Sequence, residues 1–448
     1  MKNSALLPIA CLAFLVFLVQ GCTSYHPLPL ADNPDLIPDI GQVTESVPPN
    51  TVILADGLDM TETAVIAVSL NPDLRAVRMK RNVAQAEAFA AGLLPDPQLS
   101  GSVDHPTGNL PGLVNGYSGG LSFDLRSLLT HTSEKAAAED KAKGVDLDIL
   151  WQEWQVIQQA RSLFVEKHYN AEKLKLLKEI TALDRDYQDN SEKSMKAGDI
   201  TLDQASANLT ALMDAESQLR DAQRNALQTE HDLDALLGLA PGVAIRLSPL
   251  RLPELPSDKK VTAALTTLPE RRPDLAALQA AYKSQEESLY ATVLKQFPSI
   301  SVGFNRARDT SNVHTAGLGV TIDLPIFNGS RGEISVQSAT REQLHAEYQA
   351  RLDQANAEVA KLWQQTRMIH QQIRELQGQL LKLEKMVAEA SEPYKSGDFP
   401  ALSYNTLRGS LLSKKMEYLD LQQSLWTNRI GLDTLLAWPL LKQEKPRD

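Results

Sequence analysis

The chain states one pattern twice, about 200 residues apart, and few folds tolerate that. Asn71-Pro72-Asp73-Leu74 returns as Arg272-Pro273-Asp274-Leu275, and Pro97-Gln98-Leu99-Ser100 returns as Pro298-Ser299-Ile300-Ser301. Leu121-Ser122-Phe123-Asp124-Leu125 returns as Val320-Thr321-Ile322-Asp323-Leu324, Lys196-Ala197-Gly198-Asp199 as Lys395-Ser396-Gly397-Asp398, and Leu236-Leu237 as Leu435-Leu436. The offset drifts by only two residues from first phrase to last. One architectural unit has therefore been duplicated with little insertion, and the fold is two tandem copies of it.

Each copy changes period along its length. A helix is expected from about 59 to 92, kinked or split at Asn71-Pro72 because proline removes a backbone donor. The period then becomes two: Leu99 and Val103 alternate with Ser100, Ser102 and Asp104, and Tyr117, Leu121 and Phe123 alternate with Ser118, Gly120 and Ser122. In the second copy Ile300, Val302 and Phe304 oppose Ser299, Ser301 and Asn305, while Leu318, Val320 and Ile322 oppose Gly317, Gly319 and Thr321. Strands of about 9 to 11 residues with one apolar face match a bilayer crossed at a tilt. Two hairpins cannot close a barrel alone, and open edges in lipid leave backbone groups unpaired, so several chains would have to share one.

Long helices follow, expected from about 133 to 191 and 332 to 391, rods of roughly 90 Å. Each turns at a Lys-x-Gly-Asp phrase, where glycine accepts a left-handed cap. The return helices carry heptads: Ala205, Leu212, Leu219, Ala226 and Leu233, then Tyr404, Leu411, Tyr418, Leu425 and Leu432. Glu216, Gln223 and Glu230 are read as interrupting the alternate seam, setting register or facing water. The return helix is too short for its partner, and the 59–92 helix is expected to supply the rest by stacking end to end with it. This gives the boundaries 22–56 for a Pro-rich tether, 57–238 for repeat 1 (strands about 97–105 and 116–126, tip about 195–201), and 239–260 for a connector. Repeat 2 spans 261–438 (strands about 298–307 and 314–325, tip about 394–400), and 439–448 is a tail.

Residues 1–21 read as a targeting signal: Lys2, an apolar run from Ala5 to Val19, then Val19-Gln20-Gly21-Cys22. This ending resembles the bacterial lipoprotein processing box, which implies a lipidated Cys22 and, with Thr23 following, release to the outer membrane. Loss of Cys11 with the signal would leave Cys22 as the only cysteine, so neither a disulfide nor a catalytic thiolate is expected. Net charge is −11, from 45 Lys and Arg against 56 Asp and Glu, which disfavours nucleic acid. The eight histidines show no i, i+4 pair, the eight methionines do not cluster, and no phosphate loop or nucleophile elbow occurs. Neither enzyme activity nor a cofactor is expected.

The layout resembles the TolC-like family of outer-membrane efflux channels over nearly all of the mature chain. The most specific phrases are Leu70-Asn71-Pro72-Asp73-Leu74, Gly92-Leu93-Leu94-Pro95-Asp96-Pro97-Gln98-Leu99-Ser100 and Leu324-Pro325-Ile326-Phe327-Asn328. They look most like the branch serving heavy-metal exporters of the resistance-nodulation-division class. The resemblance implies a mainly α chain with membrane β, three copies closing a 12-stranded barrel that continues as a helical tunnel across the periplasm. It also implies an inner-membrane pump and a periplasmic adaptor docking at tips that contain Gly198, Asp199, Gly397 and Asp398. Family members place carboxylates just after the tips. Here Asp199 and Asp203 do so in the first copy, whereas Ser403, Asn405 and Thr406 stand in the second. Asp199 and Asp398 are expected to act as helix N-caps, leaving Asp203 as the gate candidate. The function so implied is a passive conduit for small solutes, with metal cations, drugs, solvents or a secreted protein as cargo. The rival is a lipid-anchored periplasmic adaptor.

Overall fold

The computed structural model describes residues 25–49, 51–107, 112–396 and 398–439. The expected signal, Cys22, Gly397 and the tail from residue 440 onward lie outside the described residues. Residues 1–36 and 37–448 form separate units, and the architecture below is that of the second.

Two short helical turns, Ile40–Gln42 and Val43–Ser46, precede α1 (Met60–Leu70). Asp59 caps α1 through the Glu62 amide, and the Glu62 carboxylate accepts from the amides of Asp59 and Ile53. The chain breaks at Asn71, where Pro72 opens α2 (Pro72–Ala91). Proline is tolerated there because the first turn has no internal partner for its missing N–H. After β1 (Gln98–Asp104) and β2 (Gly116–Asp124) comes α3 (Arg126–Ala197), which turns into α4 (Leu202–Leu236). The second copy holds α5 (Asp258–Thr266), α6 (Leu268–Arg271) and α7 (Pro273–Leu294), then β3 (Ser299–Arg308) and β4 (His314–Asp323). It ends with α8 (Arg331–Ser396) and α9 (Ala401–Leu435). The architecture is thus helix, β-hairpin and long helical hairpin, twice over.

The outbound helices are longer than the sequence suggested. The first has 72 residues and the second 66, or about 108 and 99 Å at 1.5 Å per residue. α3 begins directly after β2 because Asp124 accepts from the Arg126 amide and its carbonyl accepts from the Ser127 hydroxyl. The Leu-Leu-Thr-His-Thr stretch that follows gives no helical signal of its own.

α3 packs on α1, α2 and α4 along one flank and on α7 and α9 along the other, and α8 packs on α7 and α9. The wall therefore has four rods: two continuous (α3, α8) and two made of helices stacked end to end (α4 with α2, α9 with α7). Asn71 welds the first stack. Its side-chain oxygen accepts from the Leu74 amide at 2.9 Å, and its amide group donates to the Leu236 carbonyl at 3.0 Å, the C-terminus of α4. One side chain satisfies an orphan donor of one helix and an orphan acceptor of the other. In the second copy Arg272 takes that place, almost fully buried, forked onto Asp274 and stacked on Trp151 at 5.0 Å. Trp154 donates to the Thr434 carbonyl beside it.

The apolar cores gather around these joints. Leu58, Ile66, Ala160, Leu233 and Leu237 surround the first, and Leu268, Leu275, Val359, Leu432 and Leu436 the second. Below the joints the return helix α4 protects two stripes. The first is the expected heptad, from Ala205 to Leu233. The second is not at Glu216, Gln223 and Glu230 but one residue earlier, at Ala215, Ala222 and Thr229. Small residues fit that seam because α3 approaches closely, while Glu216 and Glu230 flank it and pair with Arg185 and Lys167.

Candidate functional site

The four strands form one antiparallel sheet in the order β1-β2-β3-β4, and among the described residues β1 and β4 are paired on one side only. The register places Leu99, Leu121, Phe304 and Leu318 in one row across all four strands. These side chains are 77, 51, 51 and 88% exposed. The neighbouring row on the other face reads Ser100, Gly120, Asn305, Gly317, and beyond it stand Ser102, Ser118, Ala307 and Thr315. Ser102 and Ser118 share a 2.9 Å hydrogen bond. One face thus offers an uncovered apolar band and the other a small, polar lining. Gly303 keeps β2 and β3 close: a Cβ there would lie 2.9 Å from the Leu121 carbonyl oxygen.

The hairpin tips lie at the far ends of α3 and α8. In the first, Gly198 adopts φ 85° and the Asp199 amide donates to the Ser194 carbonyl, which closes α3. The α4 cap is Thr201, whose hydroxyl accepts from the Gln204 amide while the Gln204 side chain accepts from the Thr201 amide. Asp199 is therefore not the N-cap that its position suggested, since it lies two residues too early to reach the first free amides. Asp203 sits exposed in the first turn of α4, where its charge complements the helix N-terminus.

At the second tip Asp398 does not cap either. The N-cap position of α9 is Pro400, which has no side-chain acceptor. The Asp398 carboxylate instead accepts from the Ser396 hydroxyl at 2.8 Å, and its amide donates to the Pro393 carbonyl. Tyr394 of α8 and Tyr404 of α9 stack at 4.4 Å between centroids and clamp the two ends of the hairpin. Tyr187 of α3 belongs to the same cluster. Its hydroxyl is buried without a hydrogen-bond partner, and burial, with Asp184 adding to it, pushes it well above the usual phenol range. Burial likewise raises the Asp184 carboxyl. This tyrosine cluster escaped the sequence reading, although Tyr394 directly precedes the turn phrase and Tyr404 follows it by six residues.

The structure thus sets Gly198, Asp199 and Asp203 together at one tip and Asp398 at the other. Among the described residues no group of three or more His, Cys, Asp or Glu side chains is placed to hold a metal, and no helix is long and apolar enough to cross a membrane.

Residues 264–437 match the family model of outer membrane efflux proteins. A search by sequence against curated proteins finds no match. The fold is similar to that of CusC, with a TM-score of 0.68 at 19% identity over 91% of this chain and 98% of that one. It is also similar to the outer-membrane channel CmeC of Campylobacter jejuni (TM-score 0.69, 15% identity, 93% and 92% covered). The outer-membrane channel MtrE of Neisseria gonorrhoeae, solved in an open state, gives a TM-score of 0.64 at 17% identity over 92% and 97%. The duplicated wall and the two-faced sheet give this chain the fold of outer-membrane efflux channels, and its second repeat matches the model of outer membrane efflux proteins.

Proposed function

We propose that three copies of the chain close one 12-stranded barrel in the outer membrane and form a passive conduit of a tripartite efflux system. The observation that carries this reading is the four-stranded sheet with one uncovered apolar face and two open edges. Unpaired strand edges are not tolerated in hydrocarbon, so β1 of one copy must meet β4 of the next. The same pairing turns the serine- and glycine-lined face toward a water-filled lumen, and twelve rods, four from each copy, continue the barrel into the periplasm.

On this reading Cys22 carries the lipid, and an adaptor and an inner-membrane pump of the resistance-nodulation-division class engage the tips at Gly198, Asp199, Gly397 and Asp398. Asp203 lines the closed gate, where three copies supply three carboxylates at the narrowest point. Small solutes, metal cations among them, are the cargo, and the pump supplies the energy. The test is migration of outer-membrane extracts on SDS gels without and with heating. An SDS-resistant trimer that collapses on heating is expected, and a monomer that stays in water once its anchor is removed would overturn the reading in favour of an adaptor.

A further inference from the structure

The two copies differ in charge at the second joint. Arg161 and Arg429 both reach Asp433, at 3.0 and 3.1 Å, and all three side chains are less than a tenth exposed. One carboxylate between two guanidiniums leaves a buried positive charge without a counter-ion, which is costly away from water. Beside Arg429 lies a cavity of about 330 Å³ walled by Lys260, Arg271 and Trp438 and floored by Ala263 and Ala264. Among the described residues no carboxylate lines it. The Lys260 ammonium and the Arg429 guanidinium lie 5.2 and 5.4 Å from the Trp438 ring centre. Among the described residues Arg271 makes no ion pair.

The first copy serves as an internal control. Where the second has Lys260, Arg271, Arg429 and Trp438, the first has Asp59, Leu70, Glu230 and Leu239. Glu230 there pairs with Lys167 at 2.9 Å, and Asp59 caps its helix. The same fold is therefore built without cations at these positions, so the architecture alone does not demand them. Three positive side chains converging on a concave wall, with an aromatic ring between two of them, are a receptor for negative charge.

We propose that this cavity is an oxyanion site, taking a phosphate or carboxylate carried on a small organic body that packs on Trp438. Arg271 offers a planar donor fork suited to two oxygens at once, and Lys260 adds a mobile point charge; Arg429, whose Nε and Nη1 are taken by Asp433 and the Glu254 carbonyl, adds positive charge behind them. The volume suits a small molecule rather than a bare ion. Two sources share this chemistry: a free periplasmic anion, and the carboxylates of Glu444 and Asp448 that follow Pro439 in the sequence.

The experiment is calorimetric titration of the full chain in detergent with inorganic pyrophosphate and with citrate, at about 0.15 M salt to screen diffuse attraction. Lys260→Gln, Arg271→Gln, the double variant and a chain ended at Pro439 are titrated alongside. Saturable binding of one anion per chain is expected, weakened about tenfold or more by each single change and lost in the double variant. Because Lys260 and Arg271 are both exposed, these variants should keep the parent's circular dichroism and melting temperature. Binding seen only after removal of the tail would support the site and assign its occupant to the chain itself. Absence of binding by both the full and the shortened chain, or equal binding by the double variant, would overturn it.

Discussion

Gly238 and Ala437 occupy equivalent turns after α4 and α9, and swapping their chemistry tests how the stacked rods are held. Both residues are left-handed, with φ 68° and 46°, and in both turns the next amide reaches back to an aspartate carbonyl, Leu239 to Asp234 and Trp438 to Asp433. The surroundings differ, because a Cβ on Gly238 would lie 2.7 Å from the Leu70 carbonyl oxygen, a backbone atom that cannot swing away. For Gly238→Ala the left-handed backbone costs about 1 kcal/mol or more. The loss of unfolded-chain freedom returns about half of that. Relieving the overlap must part α1 from α4 and stretch the Asn71–Leu236 hydrogen bond, worth about 1 kcal/mol or more. The sum is about 1.5 kcal/mol against the joint, or about 12-fold in a local opening equilibrium. Amide exchange followed by mass spectrometry reads this directly: peptides covering 70–75 and 234–240 should exchange about 12-fold faster, while those in the middle of α3 stay unchanged. Ala437→Gly relieves the left-handed strain and should slow exchange around 434–438. Gly238→Ala exchange at the parent rate would refute the claim that close backbone approach fixes the joint.

Further outcomes follow from the same geometry. Phe304→Lys or Leu318→Lys, on the uncovered face, should cost about 2–4 kcal/mol of membrane stability and deplete the protein from outer-membrane fractions, whereas Ser301→Lys on the polar face should be recovered normally. Asp203→Ala should raise single-channel conductance or relieve block by divalent cations in planar bilayers, and unchanged current together with unchanged block would remove it from the gate. Asp433→Asn leaves two buried guanidiniums without a full counter-charge and should destabilise the chain by about 3–5 kcal/mol, seen as a lowered thermal midpoint. Burial works against the Asp274 carboxylate, yet hydrogen bonds from Arg272 and Arg351 hold it below the usual range. Its stabilisation is therefore present above the unfolded carboxyl pKa and is lost as pH falls through the folded one. Thermal midpoints scanned from pH 6 to 3 should decline less steeply at the acid end for Asp274→Asn than for the parent.

The duplication, the strand alternation and the turn phrases were legible because each rests on local chemistry that repeats. Period two survives wherever one face of a strand is apolar, and Gly198 announces a left-handed cap by itself. The end-to-end stacking was recoverable from helix lengths alone. What locks it was not: Asn71 reads as an ordinary cap until Leu236, 165 residues away, arrives at its amide group. The caps at the tips were misassigned because Asp199 and Thr201 are both good cap residues, and only the position of the first free amides decides between them. The α4 seam was misread by one residue since alanines at 215 and 222 carry little hydrophobic signal, although close helix approach favours them. The tyrosine cluster at the tips joins residues of three helices, which no local pattern connects.

The alternation of unbroken and jointed rods has a mechanical meaning. Both breaks fall at the same level, beside Ala160 on one long helix and Val359 on the other, where the apolar cores are gathered. Such a palisade is stiff along every second stave and able to swivel on the others at a single height. In the conduit proposed above, motion begun at the distal turns would be absorbed at that belt before it reached the strands, so an aperture could widen below while the sheet end keeps its bore.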